Sequence, residues 1–287
     1  MTNPAVAVLQ SALRARHLDR TLTTALPSLE RTDASALAPT DIGTLDVILR
    51  GGIPRGHLSQ IVGPRSSGRT TVLLRLLAAA ARRGEIAALI DTFDRLDVTS
   101  TVAAQVDLTR LLWVRGQAIS KTDAAIDAGW VPGEAARADE WGQAGGGGSI
   151  ERAVDRALKA FDLVLQAGGF GVVALDLADV PVTALQRIPS TTWLRVQRSI
   201  EGSETACVLV APQPLARSAG GVTLALGPST SFGAGPSASL AGTRGVRWAG
   251  SSDRSRLFAG LEVEGRVISP RRRVEGDVQF TAVAGSR

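Results

Sequence analysis

Tyrosine is absent from this chain of 287 residues, cysteine and methionine occur once each, and histidine occurs twice. The single thiol, Cys207 in an apolar run, excludes an internal disulfide and points to a reducing compartment. His17 and His57 beside it make too few ligands for a structural zinc site. Six Phe and five Trp leave little surface on which single-stranded bases would stack. Apolar runs all fall short of the roughly 20 residues that cross a bilayer, and the N-terminus lacks a signal-peptide core, so a cytoplasmic location without membrane association is expected. Lysine stands only at 121 and 159, which leaves arginine to supply almost all of the positive charge. The net charge of +5 is modest and favours a nucleic-acid partner only weakly.

An apolar content of 44% over this length is enough for a large globular core. The most informative stretch is residues 61–71, Ile-Val-Gly-Pro-Arg-Ser-Ser-Gly-Arg-Thr-Thr. Gly63, four residues, Gly68, a cation and Thr70 reproduce the spacing of a phosphate-binding loop, in which backbone N–H groups at a helix N-terminus surround phosphate oxygens. Gly63, Pro64, Arg65, Ser66, Ser67, Gly68, Arg69, Thr70 and Thr71 are the candidate phosphate-binding residues. The cation is Arg69 where such loops carry lysine. A planar, forked guanidinium does not fit where a thin ammonium reaches between terminal phosphates, so phosphoryl transfer at this loop is in doubt.

The flanks have the order strand, loop, helix, strand. Residues 58–62 read as a short buried strand, and 70–83 place Val72, Leu73, Leu76, Leu77 and Ala80 at helical spacing before Gly84. Residues 86–91 read as a second strand ending in Asp91, which completes a βαβ unit. Further strands are expected at 111–115, 170–177 and 205–211. Helices are expected at 150–166, capped by Ser149, and at 191–201. Residues 4–30 have the stripe of an amphipathic helix, and 31–43 read as linker. The Gly-rich stretches 117–149 and about 227–244 read as flexible loops. After residue 213 two registers remain open, with the next strand at 222–226 or at 246–248. Residues 256–284 alternate like edge strands around the turn Pro270-Arg271-Arg272-Arg273.

Gly43-Thr44-Leu45-Asp46, then Gly51-Gly52-Ile53-Pro54-Arg55-Gly56, the loop and the strand ending Ile90-Asp91 together resemble the ATP-binding core of RecA-type recombinases. The resemblance implies an α/β fold: a mostly parallel twisted sheet flanked by helices, antiparallel C-terminal strands and an N-terminal helix, with residues 41–287 as the core and 1–40 as helix and linker. It also implies that Asp176 orients magnesium together with Thr70 if nucleotide binds, and that Gln213 senses the terminal phosphate. Where recombinases place the glutamate that polarises water, this chain has Phe93, which cannot do so; Asp94 is one residue out of register.

Arginine in the loop, the lost glutamate and short DNA loops make the chain resemble the ImuA group, RecA-related accessory proteins of bacterial mutasomes. That resemblance implies a scaffold in SOS-linked translesion DNA synthesis. Its partners would be a Y-family polymerase-like protein, an error-prone DNA polymerase and a RecA filament, with weak or indirect DNA contact. No cofactor would be required, although ATP or ADP with magnesium could still bind. Two alternatives are a DNA-dependent ATPase or recombinase, and a nucleotide-binding regulator without turnover.

Overall fold

A computed structural model describes residues 36–116, 147–217, 220–227, 246–249, 257–269 and 274–283. The expected N-terminal helix, Trp130, Trp141, most of both Gly-rich loops and the arginine turn lie outside the described residues.

The chain enters through β1 (Leu37–Ala38), α1 (Gly43–Ile48) and β2 (Ile53–Pro54), with β1 and β2 paired antiparallel. The linker reading therefore fails for its second half. The Asp46 carboxylate accepts from Thr40 N and Thr40 Oγ1 at 2.8 and 2.7 Å and from Asp41 N at 3.0 Å, which ties down a segment in which Thr40 is fully buried. Gly52 is required beneath it, because a Cβ there would lie 2.2 Å from the Ala38 carbonyl oxygen.

The core elements follow as β3 (Leu58–Val62), α2 (Arg69–Arg82), β4 (Ala87–Asp91), α3 (Val98–Ala103), β5 (Leu111–Arg115), α4 (Gly147–Ala167), β6 (Val172–Asp176), α5 (Val182–Gln186), α6 (Ser190–Ile200), β7 (Ala206–Ala211), β8 (Thr223–Leu226), β9 (Val246–Ala249), β10 (Leu257–Ser269) and β11 (Val274–Val283). Ser149 falls inside α4 and does not cap it.

The main sheet runs β11-β10-β8-β3-β7-β6-β4-β5, with β9 on β10. Pairing is parallel from β8 through β5 and antiparallel wherever β10 takes part. Both candidate segments after residue 213 are strands. The one that continues the parallel sheet is β8, directly beside β3.

The central strands are near-continuous apolar runs because both faces are covered. Along each strand, alternate side chains enter opposite layers. Leu89, Ala174 and Val208 join α2 in one cluster, while Ile90, Leu175 and Leu209 join α4 and α6 in the other. Helix α2 buries Val72, Leu73, Leu76, Leu77 and Ala80 to within 1% exposure, so its stripe is fully used by the sheet.

Candidate functional site

Parallel register aligns the carboxyl ends of the central strands, where α/β sheets bind ligands. Val62 lies beside Ala211, Asp176 beside Val210 and Asp91 beside Asp176. The sequence motifs therefore converge on one edge. The loop 63–68 follows β3, Asp176 closes β6, Asp91 closes β4, and half-buried Gln213 stands two residues beyond β7.

The loop has the tight backbone that its spacing requires. A Cβ on Gly63 would lie 2.3 Å from the Leu226 carbonyl oxygen, and Gly68, at φ +92°, has Val263 of β10 against its Cα. Inside the loop, Ser67 Oγ is buried and without a hydrogen-bond partner among the described residues. Pro64, Arg65, Ser66 and Thr70 are exposed, and Thr71 is half-buried.

The Arg69 side chain runs to the end of β6. Only 6% of the residue is exposed, and Nη1 donates to the Ala178 carbonyl oxygen at 3.2 Å, just past the end of β6. Burial pushes the guanidinium's affinity for its proton down, opposed by the charges of Asp176 and Asp179. Arg65 follows the same direction and donates to Asp179 Oδ1 at 3.0 Å. Both loop cations thus engage the β6–α5 connection.

Asp176 is half-buried at the same place. Its Oδ1 accepts from Ala178 N at 2.8 Å, and burial, with help from Asp91 and Asp179, raises its carboxyl from 3.8 to about 6. Asp91 is occupied structurally: it accepts from Arg95 N, Leu96 N and Trp113 Nε1 at 2.9, 2.8 and 3.2 Å, which folds the turn after β4. Phe93, in that turn, is 7% exposed and packs in the α4–α6 layer. Asp94, at φ +57°, takes both arms of Arg115 at 2.8 and 2.7 Å. The Arg115 hydrogen bonds hold its carboxyl below the usual range, so it is engaged with a cation and is not placed as a free base for water.

Two residues carry weight that the motifs did not reveal. Gln60, fully within β3, accepts from Leu215 N and Ala216 N at 2.7 and 2.9 Å and donates to Ala216 O at 2.6 Å. It anchors the chain just after Gln213. An amide in the middle of Leu-Ser-Gln-Ile-Val was the available signal, because a polar side chain inside a strand covered on both faces must find partners. Asp179, the acceptor of Arg65, had no signal in its spacing.

The fold family implies a nucleotide with magnesium, and the donor set splits that pair. The glycine cradle and unpartnered Ser67 Oγ fit a polyphosphate anion. The cation half does not fit. Thr70 is exposed, one oxygen of Asp176 is committed to Ala178, and a fixed guanidinium stands alongside.

Residues 22–131 match the RecA N-terminal domain family. Among curated proteins, RecA of Nostoc punctiforme is 49% identical over 69 residues, which cover 24% of this chain and 19% of that protein. RecA of Prochlorococcus marinus is 36% identical over 118 residues, 36% of this chain and 31% of the relative. The chain thus spans less than a third of the length of the RecA proteins it matches. It is a RecA-like protein, homologous to RecA over part of its length. The family match includes the loop, Asp91 and Phe93; Asp176 and Gln213 lie beyond it and are placed by the sheet. Among the described residues, no helix is long and apolar enough to cross a membrane.

Proposed function

We propose that this chain is a hydrolysis-deficient, RecA-derived accessory protein of the ImuA type, a scaffold in SOS-linked translesion DNA synthesis. The observation that carries the reading is the position of Arg69. In a hydrolytic site the loop cation and the strand-end acid stabilise charge on the transferred phosphoryl group. Here the cation is held by a backbone carbonyl of its own protein, and the neighbouring position for a water-polarising glutamate is a buried phenylalanine. Loss of chemistry with retention of the whole sheet is what a protein used for its surfaces would tolerate.

On this reading the partners are a Y-family polymerase-like protein, an error-prone DNA polymerase and a RecA filament. DNA contact is weak or indirect, the location is cytoplasmic, and ATP or ADP is not required. A second reading, a nucleotide-binding regulator without turnover, is favoured by one observation: Ser67 Oγ sits buried in the loop with no partner among the described residues.

The test is genetic complementation. Deleting the gene is expected to abolish damage-induced mutagenesis, and both the native gene and an Arg69→Ala allele are expected to restore it. Induced mutagenesis that survives the deletion would overturn the damage-tolerance role. Restoration by the native gene but not by a folded Arg69→Ala protein would overturn the scaffold reading.

A further inference from the structure

The space between the first turn of α2 and the end of β6 is where a P-loop site would hold its divalent cation, between Thr70 and Asp176. In this protein the guanidinium of Arg69 borders that space. Arg69 is buried, its Nη1 is 3.2 Å from the Ala178 carbonyl oxygen, and its charge is attracted by Asp176 and Asp179. On the outside Arg65, bound to Asp179 at 3.0 Å, adds a second positive charge to the same connection and opposes that of Arg69. Ala178 is doubly used: its N–H fixes an oxygen of Asp176 and its carbonyl fixes Arg69. The acid that would face a metal and the side chain that displaces it are thus secured through one residue. Among the described residues, no group of three or more His, Cys, Asp or Glu side chains is arranged to hold a metal ion.

Magnesium requires a near-octahedral shell of oxygens and keeps several of its waters. A guanidinium held on the Ala178 carbonyl near the acid offers no lone pair and repels a second cation in a partly buried setting. We propose that Arg69 takes the place of the divalent cation, so that this edge of the sheet excludes magnesium and any polyphosphate admitted by residues 63–71 is held metal-free. The inference rests on the hydrolysis-deficient reading above and adds the reason for it.

The experiment measures ADP and inorganic pyrophosphate binding to the full chain by calorimetry, in magnesium and in EDTA. Protein-bound Mn2+ is followed by electron paramagnetic resonance. For the native protein, affinity is expected to be equal in the two buffers, or undetectable in both, with no bound Mn2+. Arg69→Lys is expected to acquire an increase of about tenfold or more on adding magnesium, together with bound Mn2+. If the lysine variant does not fold, judged by its circular dichroism, Arg69→Met, with an uncharged flexible chain, replaces it.

The proposal is overturned if magnesium strengthens ADP binding to the native protein about tenfold, or if the native protein holds Mn2+. It is equally overturned if a folded Arg69 variant stays indifferent to metal. ATP turnover in the same samples separates the two claims. Metal-independent turnover by the native chain would sink only the hydrolysis-deficient reading. Magnesium-dependent binding without turnover would sink only this inference.

Discussion

The two edges of the sheet each hold an arginine, half-buried Arg55 at one and buried Arg69 at the other, and the pair behaves very differently. At the amino edge, Arg55 donates Nε to Leu37 O at 3.3 Å, Nη1 to Gly171 O and Glu204 O at 3.0 and 2.7 Å, and Nη2 to Glu85 Oε1 at 2.6 Å. Glu85 is in turn gripped by Arg83, so the starts of β3, β4, β6 and β7 are joined in one network. At the carboxyl edge, Arg69 has, among the described residues, a single carbonyl at 3.2 Å, near an acid whose carboxyl is pushed up to about 6. The amino edge satisfies its charges with its own backbone and holds the architecture. The carboxyl edge keeps the positions of a nucleotide site but has redirected its charged groups onto one another.

The sharpest way to break this contrast is Arg55→Ala. It leaves Glu85 to Arg83 alone and takes a side-chain donor from three backbone carbonyls at once, and a cost of about 3 kcal/mol is expected in denaturant unfolding. A loss below about 1 kcal/mol would show that the amino edge is no better secured than its opposite.

Asp176→Asn should act in the other direction. A carboxyl that titrates near 6 in the folded state and near 3.8 unfolded binds its proton more tightly when folded. Folding therefore loses stability as pH rises from about 4 to 6, and the full penalty is present above that range. The asparagine keeps an acceptor for Ala178 N–H without the half-buried charge, against some lost attraction to Arg69. A gain of about 2 kcal/mol is expected at pH 7.5, with none at pH 3.5. A destabilised variant at pH 7.5 would show that the Asp176 charge, through Arg69, supports the fold.

The smallest effect is expected from Arg115→Gln. Arg115 is largely exposed, lying over Trp113 at 4.7 Å and bound to Asp94. Its removal should let the Asp94 carboxyl rise toward the ordinary carboxylate range, as read by NMR titration, with little change in melting temperature.

The sheet was legible because buried parallel strands are written as unbroken apolar runs, and the P-loop because its glycines are spaced by backbone geometry. The motif at 43–56 also had a physical reason, since Asp46 clamps Thr40 and Asp41 while Gly52 admits Ala38. Boundaries slipped where a weak former extended an element: α4 begins at Gly147 because packing of its apolar face outweighs glycine's low propensity. The strand after residue 213 was ambiguous because Thr223–Leu226 and Val246–Ala249 are both short, mostly apolar segments, and pairing with β3 distinguishes them. At the site, the positions were readable but the direction of each side chain was not. That Arg69 bonds Ala178, Arg65 bonds Asp179 and Asp94 bonds Arg115 depends on contacts between residues far apart in sequence.

The most direct measurement is ATP turnover by the purified protein with magnesium, with and without single-stranded DNA, beside Arg69→Lys. The account predicts no turnover above background by the native chain under either condition. It predicts none by Arg69→Lys as well, because Phe93 still occupies the position of the water-polarising acid. Native turnover that rises with DNA would contradict the account and identify a working recombinase-like motor.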